Sequence, residues 1–148
     1  MKKLIFLLIA CCMVFVACGK DVEKENNVQA TENPTDELKI SITDFCSNAE
    51  TFNSMVSIAL ADNKGDFSEC EGYYKEMEDI YETKIKDVKI DSVHTNDITE
   101  GAADIVQTAF TLLNVMKSGN MDVVEHYEFY QENQDHIKEK CEEIKSYI

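Results

Sequence analysis

Two kinds of apolar pattern divide the chain. Near its start, fourteen apolar residues from Leu4 to Ala17 follow one another without a polar break. From Leu38 onward they instead recur by steps of four and three: Leu38, Ile42, Phe45, Ala49, Phe52, Val56 and Ala59. Such spacing keeps one face of an α-helix apolar. Asn33 as a cap, Pro34 at the first helical position and the Asn63-Lys64-Gly65 stop predict a first helix over about 34–62.

Three more seams follow. Asp66-Phe67-Ser68-Glu69 is close to a capping box, and Phe67, Cys70, Tyr74, Met77, Tyr81, Ile85 and Val88 form the second seam. Gly72 is its weak point. Lys89 to Asn96 keeps neither a helical nor a strand period and is expected to be a connecting loop containing His94. Asp97-Ile98-Thr99-Glu100 opens a third helix with Ile98, Ala102, Ile105, Ala109, Leu112 and Met116 on its seam, widened by Val106, Phe110 and Leu113. This helix should be the most buried. After Lys117-Ser118-Gly119-Asn120, a fourth helix is expected from Met121 to the end, with Val123, Tyr127, Tyr130, Gln134, Ile137, Cys141, Ile144 and Ile148 on one side. Four long helices, two tight turns and one longer connection predict an all-α fold, an up-down-up-down antiparallel four-helix bundle.

The continuous run near the start has a different meaning. It follows Lys2 and Lys3, as the apolar region of a secretory signal does, and is shorter than the roughly 20 residues that span a bilayer. It closes on Phe15-Val16-Ala17-Cys18. These residues resemble the lipobox of bacterial lipoproteins, which implies cleavage before Cys18, acylation of that cysteine and a place in the cell envelope on the periplasmic or surface side. Residues 1–17 are then signal peptide. Gly19 to Asn33 is charged, amide-rich and poor in large apolar groups, the composition of a flexible tether, so that 18–33 carries the anchor and 34–148 the bundle. Lys20-Asp21 and Glu23 are similar to the acidic export tract of surface-displayed lipoproteins in some Gram-negative bacteria.

Charge narrows the partners. The chain carries 29 acidic residues and 14 lysines and no arginine, for a net −15; loss of Lys2 and Lys3 with the signal leaves −17. Nucleic acid and anionic lipid surfaces are disfavoured, and guanidinium clamps for phosphate are absent. A basic envelope or secreted protein suits such a surface.

Catalytic signatures are missing: Glu-x-x-His, Cys-x-x-Cys, Gly-x-Ser-x-Gly and glycine-rich phosphate loops do not occur. The expectation is a non-catalytic binding module without a cofactor, acting as an inhibitor or immunity-type protein. The alternatives are an enzyme with an unfamiliar site and a carrier. For a carrier, Cys70 and His126, with Met116 and Met121, are weak candidates for a soft metal, and Tyr74, Tyr81, Tyr127, Tyr130 and Gln134 for the lining of a ligand pocket. Beyond Cys18, Cys46, Cys70 and Cys141 belong to the mature chain. In an up-down bundle only Cys46 and Cys141 fall near the same end of neighbouring helices, so they are the one pair that a disulfide can join; buried free thiols are the other outcome.

Overall fold

The computed structural model describes residues 34–62, 66–88, 94–119 and 126–148, which form four helices with no strand among them. These are α1 (Asp36–Asp62), α2 (Ser68–Ile80, continued by a π-helical turn over Tyr81–Ile85), α3 (Thr95–Lys117) and α4 (Tyr127–Lys145). α1 packs on α2 and α4, α3 packs on the same two, and α2 and α4 lie across the diagonal.

Cross-helix pairs fix the direction of each helix. Asn53 meets Gln134 and Glu50 meets Lys145 between α1 and α4. His94 meets Tyr147 and Asp104 meets His136 where α3 packs on α4, and Glu71 meets Lys117 and Tyr74 meets Phe110 between α2 and α3. In every pair the numbers run in opposition, so neighbours are antiparallel. The expected four-helix bundle is the fold.

The core is the four seams brought together. Ile42, Phe45, Ala49, Phe52 and Val56 of α1, Met77 of α2, Ala102, Ile105, Ala109 and Leu112 of α3 and Ile137, Cys141 and Ile144 of α4 are fully buried. α3 buries eight of its 23 residues against eight of 27 in α1, which makes it the more densely buried. Phe110 departs from the expected pattern. It is 45% exposed, at the edge of the α3 face, with its ring 6.0 Å from that of Tyr74.

The seam of α2 steps by four twice in succession, from Met77 to Tyr81 to Ile85. At 100° per residue this carries Ile85 about 80° away from Met77. A π turn takes more residues per revolution, and the one over Tyr81–Ile85, closed by Lys86 N–H donating to the Tyr81 carbonyl at 2.8 Å, returns Ile85 to the core at 1% exposure.

Caps follow local chemistry. Thr35 Oγ1 accepts from Leu38 N–H at 3.3 Å and caps α1, while Asn33 lies outside the described residues. Asp66 accepts from both the N–H and the hydroxyl of Ser68, which holds its carboxyl below the usual range. α3 starts at Thr95, two residues before the expected Asp97, so His94 stands at its threshold and not within a loop. Met121 to Glu125, expected in the fourth helix, lie outside the described residues. Along α1 the hydroxyls of Ser41, Thr43, Thr51, Ser54 and Ser57 each donate to the carbonyl four residues earlier.

Two glycines give opposite expectations. A Cβ on Gly101 would lie 2.6 Å from Cγ2 of Ile144, a branch of a fully buried side chain, whereas Gly72 is exposed with nothing within 4 Å. Alanine gains up to about 1 kcal/mol of helix propensity at either site. At Gly101 overpacking costs about 1 to 3 kcal/mol and outweighs that gain. Gly72→Ala should raise the denaturation midpoint and Gly101→Ala lower it; matching shifts would refute the close approach of α3 and α4.

Candidate functional site: a neutral cleft and two buried thiol sites

Near the end of the bundle where α1 finishes and α4 begins, the two helices border a cleft of about 370 Å³. It is lined by Ser57, Leu60 and Ala61 on one side and by Tyr127, Tyr130, Gln131 and Gln134 on the other. A reciprocal clamp fixes the spacing of the helices there. Asn53 Nδ2 donates to the Gln134 carbonyl at 2.9 Å, while Gln134 Nε2 donates to the Asn53 carbonyl at 2.7 Å and to Ser57 Oγ at 2.9 Å. Gln134, the one amide in its seam, therefore ties this end of α4 to α1.

Tyr130 is 3% exposed and packs edge-on against Phe129, and burial pushes its phenol up. Tyr127 is 60% exposed at the rim, a correction to its expected place in the seam. None of the lining side chains is charged. In a chain of net −15 this is a distinct chemical environment, and it extends the charge-free stretch from Thr51 to Ala61. Ile58, 55% exposed, lies on that stretch.

Of the five residues expected around a ligand, three come together here: Tyr127, Tyr130 and Gln134. Tyr74 is elsewhere, on α2, where its hydroxyl donates to Glu78 at 2.7 Å; burial first, and then this contact, push its phenol up to about 12. Tyr81 opens the π turn.

A second depression, of about 270 Å³, is bordered by Met55, Ala59, Asp62, Asp66, Glu69 and Cys70. The Cys70 thiol is 1% exposed, and burial pushes it up, away from the thiolate a soft metal needs. His126 precedes α4, the helix diagonal to the one that carries Cys70; Met116 is buried in α3, and Met121 is outside the described residues. Among the described residues no group of three His, Cys, Asp or Glu side chains is placed to hold a metal.

Cys46 and Cys141 lie across the α1–α4 interface, both fully buried, with Cys46 Sγ 3.9 Å from the Cys141 carbonyl oxygen. The contact with Cys141 chiefly lowers Cys46, helped by the cation of Lys145, and the same contact together with burial raises Cys141. Lys145 donates to Glu50 at 2.6 Å beside them. Cys18 lies outside the described residues.

Sequence reading missed one cluster altogether. His94 stacks on Tyr147 with ring centres 4.4 Å apart and pairs through Nδ1 with Asp97 at 3.2 Å, drawing the end of the chain onto the start of α3. The only available signal was an aromatic near the C-terminus, which does not specify a partner. Comparison with protein-family models, curated proteins and solved structures finds no match.

Proposed function

We propose that the chain is a lipid-anchored, non-catalytic binding module of the bacterial cell envelope, held through acylated Cys18 and engaging a basic envelope or secreted protein in the manner of an inhibitor or immunity protein. The observation that carries this reading is the lysine-led apolar run that closes on Val16-Ala17-Cys18 ahead of a domain with a large acidic excess. Exposed Glu69, Glu76, Glu78, Asp79 and Glu82 along α2 make that helix the natural contact for a cationic partner, since opposed charge accelerates encounter. Among the described residues no helix is long and apolar enough to cross a membrane.

The neutral cleft favours a second reading, a carrier of a small uncharged ligand. Its volume lies at the low end of ligand pockets, and its tyrosines and amides offer both an apolar face and hydrogen-bonding groups. Purification from solubilised membranes separates the two. A basic protein that is retained at low salt, lost as ionic strength rises, and lost from a Glu76→Lys, Glu78→Lys, Asp79→Lys variant supports interaction through α2. A stoichiometric neutral compound, released by Tyr127→Ala with the helical content unchanged and with no protein retained, overturns it in favour of the carrier.

A further inference from the structure

We propose that Cys46 and Cys141 close to a disulfide as the bundle folds under oxidising conditions, joining the first helix covalently to the last and leaving Cys70 as a buried thiol. The geometry comes from the α1–α4 register. Asn53 with Gln134 pins the two helices seven residues from each thiol (53 − 46 and 141 − 134), and Glu50 with Lys145 holds them together beside it, so that Cys46 meets Cys141 within contact range. The Cys46 sulfur already reaches the backbone of Cys141, 3.9 Å from its carbonyl oxygen, and rotation about χ1 is the adjustment that brings the two thiols to bonding distance, provided the Cα atoms lie within about 7 Å. Among the described residues Cys70 has no such partner: it lies beside Ala59 of α1, thirteen residues or about 20 Å along the helix from Cys46.

The chemistry balances with a small-molecule disulfide, such as oxidised glutathione, as the oxidant. The Cys46 thiolate attacks one sulfur of the oxidant and expels one glutathione thiolate, which takes up a proton. The Cys141 thiol gives up its proton, and its sulfur attacks Cys46 Sγ and expels the second glutathione. Two protein thiols are oxidised to one disulfide, and one glutathione disulfide is reduced to two thiols.

Complete burial decides when this happens. With both sulfurs at 0% exposure, no oxidant reaches them in the closed bundle. Cys141 lies four residues before the end of α4, within the part of a helix that frays, so exchange proceeds while that end is undocked and stops once it packs. After closure the bond is shielded from reductant in the same way.

The proposal rests on the export reading only for its occurrence in the cell, and two arms keep these apart. In the first, the full mature chain is reduced, denatured and refolded in a glutathione buffer, then alkylated after denaturation without reduction. Cys70 should be alkylated, and the Cys46 and Cys141 peptides should appear linked and two hydrogens lighter. The folded, reduced protein should close at least about tenfold more slowly than the refolding chain, because exchange then waits for opening. Cys46 and Cys141 both alkylated after refolding, or a link that involves Cys70, overturns the proposal; Cys70→Ala should leave the bridge intact. In the second arm the protein is alkylated as taken from membranes. A bridge that forms on refolding but is absent there leaves the proposal standing and counts against export to an oxidising compartment.

Discussion

Phe52→Ala is expected to cost about 3 to 5 kcal/mol, among the largest losses from a single truncation of the bundle core. Phe52 is fully buried at the middle of α1, the helix that packs on both α2 and α4. Truncation removes the transfer free energy of a ring and leaves a cavity that neighbours with rigid backbones fill only in part. Native domains are stable by roughly 5 to 15 kcal/mol, so the variant should sit near the edge of folding. Ile105→Ala, at the centre of α3, should cost about 2 to 5 kcal/mol. Lys75→Ala, on the exposed side of α2, should stay within about 0.5 kcal/mol. Urea midpoints at constant slope measure all three; comparable losses for Phe52 and Lys75 would disprove the assignment of core and surface.

Cys18→Ala should move the protein from the membrane to the soluble fraction. The proposed anchor is a multiply acylated cysteine, and one chain alone gives only marginal attachment, whereas several make it stable. Loss of the sulfur removes the acceptor of the acyl chains, and labelled palmitate should then tag the parent and not the variant. An alanine variant that remains labelled and membrane-bound would remove the basis for placing the chain at the envelope. Its melting curve should match that of the parent, since Cys18 lies well before the first core residue, Leu38.

The four helices and most of the core were legible because a 3.6-residue period read over twenty or more positions leaves little freedom in which face is buried. What the period does not reveal is how many neighbours a face has. Cys46 sits one step beside the Phe45 seam, yet both are fully buried, because α1 packs on two helices and its covered arc is wide. Phe110 shows the converse, an aromatic at the rim of an arc that closes before reaching it. The π turn was legible as two successive four-residue steps but not as a change of helix type, which a seam alone does not specify. The clamp of Asn53 and Gln134 and the stack of His94 on Tyr147 are tertiary pairings 81 and 53 residues apart in sequence, and no local signal links their partners. In the cleft, the tyrosines and the glutamine stood out by type, while Ser57, Leu60 and Ala61 looked like any other end of a helix.

The hydroxyls of Thr43, Thr51, Ser54 and Ser57, outside the core of α1, turn back onto their own helix and change what the outside of the protein offers. A serine or threonine proton donated to the carbonyl four residues earlier is no longer available to a visitor, and the oxygen that remains can only accept. Carboxylates, the commonest charged group on this chain, also only accept, and there is no guanidinium to redress the balance. Most of the exterior is therefore short of protons to give. Whatever docks on it must bring the donors: ammonium, guanidinium or amide N–H groups, in numbers that match a surface built largely of lone pairs.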